Sequence, residues 1–151
     1  MTWVTRAHPG DASALGHLMF EAVRYGALLY SVRARTAWMP RRPAGRRWYR
    51  KLAVQKVWVA RGASRKPHGV ITLRADGYID LAFVAPHMVG KGVFSALMRA
   101  LLDEARADQM LFTHASLHAQ PAFAAHGFGV VHREVVRRNG EGLRRALMRL
   151  N

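Results

Sequence analysis

Apolar and polar residues follow one another along the chain with two periods, one typical of strands and the other of helices. Residues 2–7 alternate in the manner of a short strand, and Pro9, Gly10 and Asp11 then supply a turn and a helix N-cap. From Asp11 to about Leu29, apolar residues recur at helical spacing. The pattern therefore predicts a strand followed by a helix.

The segment 30–55 interrupts this pattern with aromatic residues, arginines, two prolines and a glycine. It predicts two short helices separated by a break near 40–45. Three apolar runs then predict consecutive strands at 56–61, 68–74 and 78–85. Because the Asp76-Gly77 pair is a tight-turn signal between the last two, we expect an antiparallel meander.

A helix and a further strand complete a crossover in the second half of the chain. Residues 90–107 carry apolar side chains along one face, which predicts a helix that packs on the sheet. Since this helix separates the strand at 110–116 from the one at 78–85, the two strands should be parallel neighbours joined by a right-handed crossover. A short helix and a final strand pair are predicted at about 119–126 and around Asn139-Gly140.

Length and composition indicate one domain. The 151 residues, half of them hydrophobic, suit a compact domain over residues 1–151 that buries roughly 68–70% of its unfolded surface. No internal repeat is present, and the alternation of strands and helices indicates the α/β (α+β) class.

The chain has no cysteine, which excludes disulfides and thiolate metal sites. Its eight histidines show no ligand spacing, so we expect no metal. No apolar run resembles a signal peptide or approaches the ~20 residues of a bilayer span. We therefore expect a cytoplasmic protein without a membrane partner.

The charge is strongly unbalanced. Lys and Arg number 24 against 9 Asp and Glu, a net charge of +15, and 20 of the 24 are arginines. Such a surface attracts polyanions, which include nucleic acid, acidic membrane and phosphorylated small molecules. A solvated surface without an anionic partner explains it equally well. The arginines are densest at 41–50 and at 137–145.

Two glycines bracket a lysine where the predicted helix at 90–107 begins. The first turn of a helix leaves N–H groups unpaired and carries partial positive charge, so it is an anion site. Gly90 and Gly92 would let a phosphate approach the backbone closely, and Lys91 adds a full charge. The pattern is neither a Walker A loop nor a GxGxxG fingerprint, and a tight turn without a ligand remains the alternative.

The sequence DLAFVAPHMVGKGVFSALMRALLDEAR (80–106) resembles the central motif of the GNAT N-acetyltransferases, in which a strand ending in Val-x-Pro precedes (Gln/Arg)-x-x-Gly-x-(Gly/Ala). ASLHAQPAFAAHGFGVV (115–131) is similar to the family's later motif, where a small helix runs into Gly-Phe. The order of elements also fits over nearly the whole chain. The resemblance implies a mixed six- to seven-stranded sheet with helices on both faces.

The resemblance also implies acetyl-CoA as co-substrate. The backbone at Phe83 and Val84 would pair with the pantetheine arm, and the diphosphate would lie on the amides of Val89, Gly90, Lys91, Gly92, Val93, Phe94 and Ser95. Val89 departs from the family's Gln or Arg, and Phe94 from its Gly or Ala. Phe123 stands at the cofactor site where the family usually has a proton-donating tyrosine.

Acetyl transfer requires a group that removes a proton from the attacking amine. Relatives often use a glutamate on the central strand, which matches Tyr78 here. Asp80 shares a face with Tyr78 by strand alternation, and His114 has an ordinary pKa suited to a base, with Ser116 on the same face. Asp80, His114 and Ser116 are thus the catalytic candidates. The alternative is that Asp80 bonds a loop amide and His114 is a core histidine.

The acceptor would attack acetyl-CoA directly in a ternary complex. We expect Tyr30, Trp38 and Tyr78 to contact it, and a small-molecule amine or a protein N-terminus or lysine are open as acceptors. Arginines of 41–50 at the cleft would favour an amine with a carboxylate or phosphate. A non-catalytic acyl-CoA sensor and a basic nucleic-acid-binding module are the alternatives, and a homodimer is possible.

Overall fold

The structure is a computed structural model that describes residues 2–151. It contains, in chain order, eight strands, β1 to β8, at Trp3–Arg6, Lys56–Arg61, Pro67–Leu73, Tyr78–Ile79, Ala82–Val84, Phe112–Ser116, Phe128–Arg138 and Glu141–Leu150. Five α-helices within the same residues, α1 to α5, lie at Ala12–Glu21, Val32–Trp38, Gly45–Ala53, Val93–Glu104 and Ala119–Ala124. No helix among these residues is long and apolar enough to cross a bilayer.

The strands form two four-stranded sheets. The first has the order β1-β2-β3-β5 and is antiparallel throughout. The second has the order β4-β6-β8-β7, in which β4 and β6 are parallel and the other pairs antiparallel. The predicted meander, the parallel pair across α4 and the final hairpin are thus confirmed.

The strand predicted as continuous over 78–85 is divided in the structure. Its first part, β4, pairs with β6 of the second sheet, and its second part, β5, pairs with β3 of the first. The chain changes partner at Asp80 and Leu81. Two sheets therefore replace the expected single sheet, because one continuous segment pairs with both. The sheets separate at Asp80 and Leu81, where this segment changes its partner strand, and we call this point the divergence.

The helices differ from their predicted bounds mainly at the ends. The helix expected to reach about Leu29 ends as α1 at Glu21 and continues only as a π-helical turn to Gly26. The two short helices predicted in 30–55 are α2 and α3. Ser31 caps α2, because its hydroxyl oxygen accepts the Ala34 N–H at 3.0 Å.

Helices cover both faces of the first sheet, as expected. Strand β2 alternates between two buried clusters: Trp58 packs with Leu97 and Leu101 of α4, whereas Val57 and Val59 pack with α1. A strand buried on both faces reads as a continuous apolar run, which explains the sequence KVWVAR at 56–61. The core thus fixes α1 and α4 on opposite sides of the strands that lead to the divergence.

Two buried threonines satisfy backbone groups at the divergence. The Leu81 N–H donates to the Thr72 hydroxyl at 3.0 Å, and the Thr113 hydroxyl donates to the Ile79 carbonyl at 2.8 Å. Both side chains are almost fully buried. An unpaired buried backbone group costs free energy, so these side chains take over hydrogen bonds that the separating ladders cannot make.

Replacement of Thr72 by valine should therefore destabilise the protein. The change keeps the shape but leaves the buried Leu81 N–H without its acceptor, which costs about 1–3 kcal/mol of unfolding free energy. Chemical denaturation measures the loss. Thr36→Val is the matched control, since Thr36 is exposed and bonds only within α2. Equal stabilities of the two variants would contradict the role assigned to Thr72.

Candidate active site

Two cavities lie on either side of the divergence and share part of their walls. The α4 cavity, of about 490 Å³, lies between β5, the start of α4, α5 and the π-helical turn that follows α1. The α3 cavity, of about 470 Å³, lies between α3, β4, β6 and the β7–β8 hairpin. Both volumes suit a small molecule. The residues common to both walls are Trp38, Ala82, Phe83, Ser116 and Ala119.

The α4 cavity is built around a helix start with free amides. Gly90 and Gly92 have φ of 81° and 82°, the left-handed region that favours glycine, and a Cβ on either would meet no atom within 4 Å. Conformation, not crowding, therefore requires glycine here. The Ala96 N–H bonds the Gly92 carbonyl as α4 begins, so the amides of the preceding residues have no acceptor within the helix. This positive helix end is suited to an anion.

The same cavity exposes the edge of a strand. In the first sheet β5 pairs with β3 on one side and is the last strand of the sheet on the other. Phe83 and Val84 lie on this strand and line the cavity. An extended ligand with amide groups can add to such an edge through backbone hydrogen bonds.

The ring of Phe94 turns toward α5. It packs edge to face on Phe123 with centroids 5.1 Å apart, and it lies 5.6 Å from the His126 ring. It thus forms a wall of the α4 cavity and leaves the cavity open. Phe123 is 1% exposed and belongs to the core, and its ring borders the α3 cavity, on the other side from the predicted cofactor site.

Tyr78 and His114 form a hydrogen-bonded pair in the α3 cavity, with the Tyr78 hydroxyl 2.8 Å from His114 Nδ1. Burial and the nearby Arg145 guanidinium lower the pKa of His114 below its ordinary 6.5, while Glu134 opposes them. Burial and the charge of Asp80 raise the pKa of Tyr78 above its ordinary 10.0. Both side chains are therefore neutral near pH 7.

Asp80 lies at the divergence itself and also lines the α3 cavity. Its carboxylate forms an ion pair with Lys51 at 3.4 Å and accepts a hydrogen bond from Gln55 at 3.3 Å. The carboxylate is thus held by side chains from α3 and the turn that follows it, with no part in capping a loop amide.

Ser116 lies where the two cavities meet. Its hydroxyl oxygen accepts the Ala119 N–H at 3.2 Å at the start of α5, which leaves its own hydrogen available to donate. It lines both cavities. Among the three predicted catalytic residues, it is the one that faces both sides.

The two aromatic residues predicted to contact the acceptor have different positions. The Tyr30 hydroxyl donates to the Arg144 carbonyl at 2.6 Å and accepts the Leu117 N–H at 2.9 Å, so it is committed to the backbone. Only its ring remains for a ligand. Trp38 packs between Tyr30 and Phe83 and lines both cavities.

Comparison with known proteins identifies the family that shares this architecture. The sequence model described as acetyltransferase (GNAT) domain matches residues 34–150. The chain belongs to the GNAT family of N-acetyltransferases. It is 35% identical over 133 residues to the uncharacterised N-acetyltransferase YafP of Escherichia coli K12, a match that covers 87% of this chain and 84% of YafP.

Solved structures agree with this assignment. A GCN5-related N-acetyltransferase from Rhodopseudomonas palustris superposes with a TM-score of 0.88 at 26% identity, over 98% of this chain and 94% of that one. The acetyltransferase yncA from Salmonella typhimurium, solved with acetyl-CoA, superposes with a TM-score of 0.68 at 20% identity, over 100% and 94% of the two chains. The predicted family and fold are confirmed.

In this acetyltransferase the structure brings the predicted site residues into two groups. Tyr78, Asp80 and His114 share the α3 cavity, and the glycines line the α4 cavity with Val84, Val89 and Phe94. His118, which no sequence pattern assigned to the site, lines the α4 cavity and accepts the Leu29 N–H at 3.0 Å. Of the cations around the α3 cavity, Arg47 belongs to the run 41–50 that was expected at the cleft. The cations of the β7–β8 hairpin were not predicted there, because their placement depends on strand register.

The charges around His114 predict how its pKa responds to mutation. Arg145→Gln removes the cation that lowers the pKa of His114 and should raise it, whereas Glu134→Gln removes the opposing anion and should lower it further. NMR titration of the ring signal that is lost in His114→Ala measures both shifts. Arg149→Gln, on the same strand, is the control and should leave the pKa unchanged. Shifts of the same sign in both variants would contradict this arrangement.

Proposed function

We propose that this protein transfers the acetyl group of acetyl-CoA to the amine of a small molecule by direct attack in a ternary complex. The observation that carries the proposal is the meeting of two cavities at the strand divergence. One of them presents free helix amides and a strand edge, and the other presents a neutral histidine and tyrosine. Such a pair of sites can hold two reactants with their reacting atoms adjacent.

The α4 cavity fits acetyl-CoA, which supplies an activated thioester when bound. The amides from Gly90 to Ser95 would hold the diphosphate, because unpaired N–H groups at a helix start favour anions. The Val89 N–H already bonds the Pro86 carbonyl at 3.5 Å, and Lys91 is not among the described residues that line the cavity, so neither group is assigned to the diphosphate. The free edge of β5 would hold the pantetheine arm at Phe83 and Val84. Substitution of Val89 and Phe94 for the family's usual residues leaves these backbone groups in place, and the Phe94 ring stands aside on Phe123.

We assign His114 as the base that removes a proton from the acceptor ammonium. Its imidazole is neutral near pH 7, so one ring nitrogen can accept a proton. With Nδ1–H donated to the Tyr78 oxygen, Nε2 keeps the accepting lone pair. Asp80 is less suited to this step, because its carboxylate is already held by Lys51 and Gln55, and we assign it to attract and orient the ammonium group.

The departing thiolate also needs a proton, and Phe123 has no hydroxyl to give. Ser116 has a hydroxyl hydrogen at the junction of the two cavities. We therefore assign proton donation to Ser116. In the complete reaction the new C–N bond replaces the C–S bond and the ammonium loses two protons. One passes through His114 to solvent, and the other replaces the proton that Ser116 gives to the thiolate, so the amide, the thiol and both side chains end neutral.

Removal of a single helix amide should weaken acetyl-CoA binding. Ser95→Pro deletes the N–H at a first-turn position that helices tolerate, and we expect affinity to fall at least about tenfold, the equivalent of one charge-assisted hydrogen bond. Ser95→Ala keeps the amide and is the control. Thermal stabilisation, which grows as RT ln(1 + [L]/Kd), measures both affinities. Salt-sensitive stabilisation by a nucleic-acid oligomer, with none by acetyl-CoA, would contradict the proposal.

Loss of His114 should remove the acid limb of the pH profile. In the wild type, kcat/KM should fall as the pH drops through the lowered pKa of His114, below 6.5, because the protonated ring cannot accept a proton. His114→Ala should lower kcat/KM at pH 7 by about 100-fold or more and abolish that limb. Thiol release with a panel of amines measures these values.

Two further variants separate the roles assigned above. Asp80→Asn should lower kcat/KM by about tenfold, mainly through KM, and keep the acid limb, since one charge contact is lost. His17→Ala changes an exposed histidine of α1 outside both cavities and should have no effect. An acid limb that survives in His114→Ala and vanishes in Asp80→Asn would transfer the role of base to Asp80.

A further inference from the structure

The walls of the α3 cavity carry far more positive than negative charge. Asp80 is the one carboxylate among the described residues that line it. Five cationic residues line the same wall, two from α3 and three from the β7–β8 hairpin: Arg47, Lys51, Arg138, Arg144 and Arg145. By strand alternation the Arg144 side chain points to the opposite face of β8 from that of Arg145, which leaves four cationic side chains for the cavity. A concave site with this balance concentrates anions.

Part of this charge is already neutralised within the protein. Lys51 pairs with Asp80 at 3.4 Å, and Arg145 pairs with Glu134 at 2.6 Å. Neither Arg47 nor Arg138 forms an ion pair with any carboxylate of residues 2–151. Both side chains are exposed and available to a ligand at the mouth of the cavity.

Strand register determines which face of the second sheet the arginine side chains of the β7–β8 hairpin occupy. Arg145 is directly opposite Ser116 on β6 and Glu134 on β7, and directly opposed residues share a face. His114 and Arg138 lie two and four residues from those partners on the same strands, so all of them share one face. Arg138 is therefore on the face of His114, displaced along the sheet toward the hairpin turn.

Arg47 approaches from the opposite wall. It lies four residues, about one helical turn, before Lys51 on α3, and Lys51 contacts Asp80. The cavity thus has a neutral histidine and a carboxylate at one end and, away from them, two guanidinium groups that pair with no carboxylate of residues 2–151. Arg138 donates one long hydrogen bond, to the Arg137 carbonyl at 3.3 Å, and its other N–H groups remain for a ligand. The guanidinium group matches carboxylate and phosphate oxygens in a two-bond geometry.

We propose that the acceptor is a small amine that also carries a carboxylate or phosphate group, which Arg47 and Arg138 hold while the amine faces His114 and Asp80. This inference rests on the proposed function and names the substrate class of the same site. Of the arginines at 41–50, only Arg47 lines the cavity, so it is this residue and the hairpin, not the whole run, that select the anion. Polyamines and basic peptides are poor acceptors, because the same charges repel them.

Two pairs of amines test the proposal, since each pair differs only in the anionic group. They are 4-aminobutanoate against n-butylamine, and O-phosphoethanolamine against ethanolamine. We expect the anionic member of at least one pair to have a kcat/KM at least about tenfold higher, and the pair that shows it distinguishes carboxylate from phosphate. Equilibrium binding of each amine in the presence of CoA should show the same preference, and added salt should reduce it.

Arginine variants connect this preference to the cavity. Arg47→Gln and Arg138→Gln should bring the ratio within each selective pair toward one. Arg46→Gln, which removes an exposed arginine of the same helix outside the cavity wall, should leave the ratio unchanged. An unchanged ratio in both cavity variants would overturn the assignment.

The outcomes separate this inference from the proposed function. Neutral amines that bind and react as well as their anionic partners would overturn only the substrate class. Lack of thiol release from every amine would overturn the proposed transfer. The equilibrium binding of the same amines would still test whether Arg47 and Arg138 hold the anionic group. A single-stranded DNA oligomer that displaces the amine would overturn the small-molecule assignment in favour of a polyanion.

Discussion

The structure depends on one strand that belongs to two sheets. Between Ile79 and Ala82 the chain leaves β6 and joins β3, and the sheets separate because one strand cannot complete both ladders. Separation inside a core is costly unless backbone groups find other partners, and the hydroxyls of Thr72 and Thr113 provide them. The cleft between the sheets therefore rests on two buried side-chain hydrogen bonds.

The divergence also accounts for the separation of chemistry between the two cavities. On one side, β5 turns through Pro86 toward α4, so a strand edge and a helix start face the same space. On the other side, β4 and β6 bring Tyr78 and His114 together, and α3 adds Lys51 beside Asp80. Apolar side chains and free backbone groups line the first cavity and charged side chains the second, which suits two reactants of different chemistry.

Features set by local sequence could be predicted, and features set by register could not. Apolar spacing predicted α4, the hairpin and the parallel pair, and the glycines predicted the free helix start, because each rests on a few adjacent residues. The division of strand 78–85 was not predictable, since DLAFV carries no proline or glycine and the partner change is set by distant strands.

The site shows the same limit. Alternation correctly placed Tyr78 and Asp80 on one cavity wall, yet the ion pair of Asp80 with Lys51 joins residues from α3 and the central strand. The commitment of the Tyr30 hydroxyl to the backbone at Leu117 and Arg144 is likewise a long-range contact. Long-range contacts of this kind do not follow from the spacing of residues along the chain. The sequence therefore identified these residues as candidates but did not show which of them bind a ligand and which hold the fold together.

A cationic cavity is at first sight a poor host for an acceptor that arrives as an ammonium ion. The repulsion is offset only if the acceptor carries negative charge of its own. The remaining repulsion then acts on the ammonium group, which is the part of the acceptor that must react. Positive neighbours lower the pKa of an ammonium group as they lower that of His114, because both lose their charge on deprotonation. The same field would stabilise the departing thiolate until Ser116, the donor we propose, protonates it. The excess of arginine thus favours the neutral amine and the anionic leaving group, provided that the acceptor carries the anion that binds it.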